Sequence, residues 1–518
     1  KEDNMKKYIL LALTGILLFT SCDDFLDRTP KSDLAPENYF RDKKDMTYWN
    51  AGIYSAFASA LNEKLMYWSE VRSDNCDHTG YVNSVYYMNA LTSERGEYNW
   101  QDLYSCIGRC NVAIKYYPNI PSILESEYGP YIAQAYAMRA LMYFYIIRVW
   151  GDAPLTTTVW DGELSSMELP RTSVAEIKSQ ILSDIENAIK YFSSDGSDKF
   201  YLTKAAAYAL KTDVHMWFQE YQEAIDASDY FIGNNSFEWV ADETAYKKIF
   251  TDPAGSKESI FSMWWSYSLT GKAHGWPKTM GASNTNNSWR MSQKVYNELL
   301  TRLRRGDAVG NDWGYDARLW CNVDTVKLYY SSSRNPISNA SWTDPNWGTN
   351  KCVKFSGIDP NRQYDSANKV YKSQDYVYSS TDAEFSFPIY RYADVMLLRA
   401  EALNKMERKE EAIDIVLAVR KRVGYNGGIP FTTTKEDLEN EILLERQLEF
   451  FAEGKRWFDL MRTDKLKEVM EPVYQERQVM MGETPTAFDM NRAYGPIYYK
   501  EFEANAALRG HQNPPYSE

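Results

Sequence analysis

The sequence predicts a mostly α-helical protein: a scaffold with tetratricopeptide-like helix pairs plus a loop-rich portion that holds little β structure. Three observations predict it. Apolar and small residues recur at spacings of three and four through both flanks of the chain. One helix–turn–helix pattern occurs twice, far apart. Between the copies, from about residue 233 to 387, the composition turns to Asn, Ser, Gly, Asp and Trp, and long helical periods fade.

The N-terminus stands apart from this scaffold. Lys6 and Lys7 follow Met5, an apolar stretch runs from Tyr8 to Phe19, and Thr20 and Ser21 lead to Cys22. A basic start, a short apolar run and small residues at a cut site describe a secretory signal, too short to span a bilayer. Cys22 is read as a lipidation site, acylated after cleavage in front of it. Lipoprotein signals usually carry Leu where this chain has Phe19, and an ordinary secretory signal is the alternative. Each acyl methylene buried in a membrane adds about 0.8 kcal/mol, so several chains make a stable anchor. Residues 1–21 form the signal, residues 1–4 being an upstream remnant, and residues 22–518 form a single body.

The helices follow in order. In "YGPYIAQAYAMRALMYFYIIRVWG" the residues Ala133, Ala137, Ala140, Leu141 and Phe144 share a face, and Gly151 with Pro154 ends the helix. In "TSVAEIKSQILSDIENAIKYF" Thr172 or Ser173 serves as N-cap, with Glu176 in the first turn. "LTKAAAYALKTDVHMWFQEYQEAIDASDYFI" reads as two helices joined by a tight turn near Gln219 to Tyr221. "YADVMLLRAEALNKMERKEEAIDIVLAVRKRVG" repeats it, with Glu411, Ala412 and Ile413 matching Glu223, Ala224 and Ile225. A final helix is expected over "KEDLENEILLERQLEFFAEGKRWFDLMRTDKL". The scaffold thus comprises residues 22–232 and 388–470. The loop-rich insertion at 233–387 offers one clear helix, "MSQKVYNELLTRL", and one short strand, "SIFSMWWSYS". Irregular stretches this long are functional or disordered, and so many aromatics argue against disorder.

Composition excludes several classes. A net charge of −13 over 518 residues argues against a nucleic-acid partner. Besides Cys22 there are Cys76, Cys106, Cys110, Cys321 and Cys352, an odd set without C-x-x-C pairs, so neither a disulfide scaffold nor a metal site is expected. Cys106 and Cys110 lie one helical turn apart and read as packed thiols. His78, His215, His274 and His511 are scattered. The 40 Tyr and 16 Trp outnumber the 21 Phe more than twofold, which favours half-wet contact surfaces.

Patterns that mimic active sites have plainer readings. Glu445, Glu449 and Glu453 recur every fourth residue beside Arg446 and Arg456, and paired carboxylates serve acid–base chemistry. A salt-bridge network is the favoured reading, as it is for Glu401 with Arg391 and Arg399. Asp307, Asp312 and Asp316 offer calcium-type oxygen ligands, but their spacing does not match an EF-hand loop. No cofactor is expected, and no hydrolase, phosphate-loop or dinucleotide motif is present.

Five segments together carry a family resemblance: "CDDFLDRTP" followed by "YF", "WQDLYSCIGRCNVAI", "AQAYAMRALMYFYIIRVWGDAPL", "FPIYRYADVMLLRAEALN" and "ERQLEFFAEGKRWFDLMR". In this order, nearly end to end, they resemble the SusD/RagB family of Bacteroidetes outer-membrane lipoproteins. Asp23 and Asp24 resemble the surface-export signal found after such cysteines. The resemblance implies a helical scaffold with four tetratricopeptide-like pairs and a loop-rich ligand surface. It implies capture of a nutrient, usually a glycan, at the cell surface, as the lid of a SusC-like TonB-dependent transporter. It implies no catalytic step. Peptide cargo, as in RagB-like members, is the nearest alternative, and a surface glycosidase is a more distant one.

Glycan capture calls for aromatic faces and for amide, carboxylate or guanidinium groups that read hydroxyls. Two regions combine them. The stretch "RSDNCDHTGYVNSVYYMN" offers Asp74, Asn75, Tyr81 and Tyr86, and the middle region offers Trp276, Trp313, Trp342 and Trp347. Trp264, Trp265 and Trp320 read as core. Trp68, Trp100, Trp150, Trp217 and Trp457 read as helical-face packing.

Overall fold

The computed structural model describes residues 39–78, 85–121, 123–159, 168–195, 198–265, 289–304, 316–323, 352, 354–355, 364–365, 370–371 and 385–518. Helix α1 (Lys43–Leu61) opens on Asp42, whose carboxylate accepts the N–H groups of Lys44 at 2.8 Å and Asp45 at 3.1 Å. A π turn (Met66–Glu70) and the short strand β1 (Cys76–His78) follow. Helix α2 (Gln101–Tyr116) buries Leu103, Cys106, Ile107, Cys110 and Ala113 on one face, so Cys106 and Cys110 are packed free thiols. Helix α3 (Glu125–Trp150) is buried on nearly every side from Ile132 onward, the mark of a helix inside a core. It packs against α1, α2 and α4 (Val174–Tyr191). Gly151, at φ 76°, ends it in the left-handed region that favours glycine. Just before that turn Trp150 meets Trp68 and Trp100 edge-on, with centroids 5.4 and 5.6 Å away. Helix α4 starts on Ser173, whose hydroxyl accepts the Glu176 N–H at 3.3 Å, the N-cap expected from the sequence.

The repeated pair is visible in the backbone. Helices α5 (Lys204–Trp217) and α6 (Tyr221–Ser228) are joined through Gln219 at φ 59°. Later in the chain, the helices Tyr392–Lys405 and Lys409–Arg422 are joined through Glu407 at φ 63°. Each left-handed residue stands four positions before the matching glutamate, Glu223 or Glu411. The middle of the chain supplies α7 (Glu243–Thr251), β2 (Ser259–Trp265), β3 (Trp289–Met291), α8 (Gln293–Arg304), α9 (Arg318–Asn322), β4 (Tyr364–Asp365) and β5 (Val370–Tyr371). Then come β6 (Phe385–Arg391), α10 (Tyr392–Lys405), α11 (Lys409–Arg422), α12 (Lys435–Glu449), α13 (Arg456–Arg462), α14 (Leu466–Met480) and α15 (Tyr499–Ala504). Helical order therefore continues beyond residue 470, and the single final helix expected from the sequence is broken between Glu449 and Arg456, where Ala452 and Gly454 turn left-handed. Among the described residues no helix is long and apolar enough to cross a membrane.

The two copies, far apart in sequence, stack in space. Helix α10 packs on α6 and α5, and Ala224, Ile225, Ala393, Leu397 and Ala400 fill one apolar cluster. The small side chains let the helices approach closely. Arg399 of α10 then donates to the Ile225 carbonyl at 2.9 Å, the Ser228 hydroxyl at 2.7 Å and the Asp229 carboxylate at 2.7 Å. The described strands pair as three antiparallel ribbons, β1 with β3, β2 with β6 and β4 with β5.

Candidate ligand face and its ion-paired foundation

Helix α12 carries Glu445 and Glu449 one turn apart, and Glu453 follows just beyond its end. All three are at most 1% exposed. A carboxylate taken out of water costs several kcal/mol unless cations and donors surround it. Here they do. Glu445 takes Arg302 at 2.9 and 3.1 Å, Arg318 at 2.5 Å and Arg420 at 2.8 Å. Glu449 takes Arg391 at 2.6 Å, Arg318 at 3.3 Å, and Arg422. Glu453 takes two nitrogens of Arg391 at 2.9 Å each, and Lys354. A fourth acid, Glu258, meets Arg391 at 2.6 Å, and Arg422. Burial alone would raise the Glu445 carboxyl, but Arg318, Arg302 and Arg420 outweigh it and bring it to about 2. Burial is likewise overcome at Glu449, where Arg422, Arg391 and Arg318 hold it well below the ordinary range. Carboxylates that stay ionised and unreachable do not serve as a general acid and base. The salt-bridge reading holds, and the network is buried between elements.

The same motif extends the network. Arg446 bonds Asp459 at 3.0 Å and Asp394 at 2.9 Å, and Lys455 reaches Asp394 at 2.8 Å. Glu401 pairs with Arg462 at 3.0 and 2.7 Å, not with Arg391 or Arg399 as the sequence suggested.

Several of the ladder's cations come from the middle region and stand at the ends of its undescribed segments. Arg302 lies in the last turn of α8 and Arg318 opens α9, so the helices on both sides of 305–315 are pinned on Glu445. Lys354 donates to the Glu449 and Phe451 carbonyls at 2.7 and 3.0 Å. Phe355 lies 5.4 Å from Phe385 and 5.7 Å from Phe387, which fastens both ends of 356–384. Val323 pairs with Cys352 across 324–351. In the β1–β3 ribbon, His78 stands opposite Trp289, so segments 79–84 and 266–288 share one root.

These segments hold most of the candidate ligand residues. Tyr81, Trp276, Asp307, Asp312, Trp313, Trp342 and Trp347 lie outside the described residues. The others are described, and they correct the expectation. Asp74 is 2% exposed, bound by Arg456 at 2.8 and 3.0 Å and by Gln447 at 2.9 Å. Burial would raise its carboxyl, but the Arg456 charge and hydrogen bonds prevail and bring it to about 2. Asn75 is buried between Glu70 at 2.7 Å and Gln447 at 2.9 Å. Tyr86 is buried, its ring 4.4 Å from that of Tyr67. All three are scaffold groups, because their polar atoms or rings are committed beneath the surface. Asp316 is buried and paired with Arg318 at 2.8 and 2.5 Å, which leaves it no role as a calcium ligand. Among the described residues no cluster of His, Cys, Asp and Glu suits a metal.

Of the tryptophans read as core, Trp265 is buried and Trp264 is 46% exposed. Strand alternation in "IFSMWWS" places Trp264 on the face opposite Met263 and Trp265, a signal the apolar run concealed. Tyr201, 43% exposed, was not anticipated at all.

Comparisons with known proteins agree with this architecture. Residues 185–516 match the model described as the SusD family, and residues 24–216 match one described as "Starch-binding associating with outer membrane". A SusD-like protein of Formosa agariphila is 29% identical, covering 99% of this chain and 100% of its own. A SusD-like protein of Bacteroides ovatus is 23% identical, covering 88% of this chain and 82% of its own. A solved SusD superfamily protein of Bacteroides vulgatus superposes with a TM-score of 0.73 at 20% identity, covering 90% of this chain and 98% of its own. NanU of B. fragilis does so with a TM-score of 0.67 at 20% identity, covering 94% of this chain and 100% of its own.

Proposed function

Since this chain belongs to the SusD family, whose members are outer-membrane-associated nutrient-binding proteins, we propose that it is a lipid-anchored, surface-exposed glycan-binding protein. It serves as the lid of a SusC-like TonB-dependent transporter. Acyl chains on Cys22 supply the anchor. Residues 22–518 act as one body, the scaffold of 22–232 and 388–470 supporting the insertion of 233–387.

One observation carries the reading: the segments bearing Tyr81 and Trp276 adjoin His78 and Trp289, which stand opposite each other in the β1–β3 ribbon. Ligand groups set on a stiff foundation lose little freedom on binding. Trp and Tyr rings suit the C–H faces of sugars, and neighbouring amides and carboxylates read the hydroxyls. Trp313 belongs to the stretch between Arg302 and Arg318, which both bind Glu445, and Trp342 and Trp347 to the stretch bracketed by the Val323–Cys352 bridge. The saturated carboxylates of α12 favour binding over hydrolysis.

Calorimetry of the purified protein against panels of oligosaccharides and peptides tests this. Glycan binding supports it. Peptide binding without glycan binding transfers the same role to peptide cargo, and release of reducing ends from an oligosaccharide makes the protein a glycosidase. Co-purification of a TonB-dependent transporter from solubilised outer membranes tests the lid assignment.

A further inference from the structure

Glu70 ends the π turn and is fully buried, and among the described residues no cation pairs with it. Its hydrogen-bond partners are neutral donors. Oε1 accepts the Ala452 N–H at 2.7 Å and the Asn75 side-chain amide at 2.7 Å, and Oε2 accepts the Gly454 N–H at 3.2 Å. The turn between α12 and α13 is thus closed on a single carboxyl group. It sits tight against the π turn, because a Cβ at Gly454 would stand 2.8 Å from the Leu65 side chain.

The amide that reaches Glu70 has its direction set from elsewhere. The Arg456 guanidinium holds the Asp74 carboxylate at 2.8 and 3.0 Å. The Gln447 NH2 group therefore faces that carboxylate, at 2.9 Å, and donates to the Asn75 carbonyl oxygen, also at 2.9 Å. With its oxygen taken, Asn75 has only its NH2 group to offer Glu70. The relay runs one way and favours the ionised form of Glu70. Burial opposes it and prevails, raising the carboxyl to about 7.

The other charges around Glu70 are engaged with other groups. Lys354 favours the carboxylate but is bound to Phe451 and Glu453. Lys455 turns to Asp394, Glu453 to Arg391 and Lys354, and Arg477 to the carbonyls of Ser73 and Cys76. The thiols of Cys76 and Cys352 are pushed up by burial and stay neutral. A turn that opens lets water reach Glu70, where a carboxyl ionises at its ordinary value. The closed turn holds the proton more tightly than the open one, so a bound proton favours closure.

We propose that Glu70, Asn75 and Gln447 form a proton-held latch between the π turn and the α12–α13 turn: protonated Glu70 keeps the turn shut, and loss of the proton loosens it. Hydrogen exchange read by mass spectrometry tests this on the full-length wild type, Glu70→Gln and Gln447→Leu, from about pH 5.5 to 8. Protection of the 450–455 backbone, taken relative to the unfolded chain at each pH, should fall about thirtyfold in the wild type. Glu70→Gln should show no such fall. Gln447→Leu frees Asn75 to turn its oxygen toward the proton, so its midpoint should lie at higher pH. Circular dichroism checks that each variant is folded; should Glu70→Gln fail to fold, the wild type and Gln447→Leu decide. A flat wild-type profile overturns the latch. Protection equal to that of α3 at every pH overturns it too, since the turn then opens only with the whole molecule. An unmoved midpoint in Gln447→Leu overturns the relay.

Discussion

The carboxylate of Glu70 accepts the backbone N–H of Ala452 at 2.7 Å and that of Gly454 at 3.2 Å, across 382 and 384 residues. Ala452 and Gly454 have φ of 63° and 72°, so the turn that aims Glu453 and Lys455 is left-handed at two places and one acid spans both. Burial raises the Glu70 carboxyl to about 7, despite the Ala452 and Asn75 hydrogen bonds. A raised folded-state value means that its stabilising contribution is full below about pH 4.5 and is lost as pH rises through 7. Wild-type stability in urea should fall between pH 5 and 8 by up to about 3 kcal/mol from this group. In Glu70→Gln that part of the pH dependence should vanish.

Asp74 and Glu445 run the other way. Both are depressed to about 2 by arginines, so their contribution is present above their unfolded values near 4 and lost as pH falls through 2. Circular dichroism should show acid unfolding beginning below pH 4. Asp74→Asn should flatten this limb by about 2 kcal/mol while lowering stability at neutral pH.

Removing Glu449 takes a shared carboxylate from Arg391, Arg422 and Arg318 and leaves the buried network with one negative charge fewer. Glu449→Ala should cost about 3–5 kcal/mol in denaturant unfolding. Limited proteolysis should find faster cutting near residues 305–315 and 351–355, whose ends this ladder fastens. Unchanged cutting would mean that those ends are held by packing alone.

Gln219 and Glu407 should respond alike, since they occupy matching turns. Valine at either place meets a steric penalty in the left-handed region, about 1–2 kcal/mol, whereas glycine there should be neutral or slightly stabilising. Parallel melting of the four single variants checks the equivalence.

Cys22→Ala should move the protein from the membrane fraction to the soluble fraction and abolish fatty-acid labelling. Continued membrane attachment with no label on the wild type would remove the lipid anchor from the proposal.

Much of this was legible in the chain. The 3.6-residue period gave the helices, and Ser173 with Glu176 marked the start of α4. The match of Glu223 to Glu411 disclosed the repeated pair. The spacing of Glu445, Glu449 and Glu453 announced a network but not its burial, because its cations come from Arg302, Arg318, Lys354 and Arg391, up to 143 residues away. Asp74 and Asn75 misled for the same reason. A polar stretch between helices looks like a wet loop until Arg456 and Gln447, more than 370 residues later, close over it. Trp264 was hidden by the opposite error, an apolar run in which one ring alone turns outward.

The stacking of α6 on α10 also governs how the molecule comes into being. Arg399 reaches Ile225 across 174 residues, so the first helix pair keeps an uncovered apolar face until most of the chain has been made. Contacts of such long sequence separation slow folding and prolong the exposure of sticky intermediates. The protein's birth is therefore its most vulnerable moment. A chain stopped short of α10 is a substrate for chaperones and proteases rather than a smaller working version of the whole.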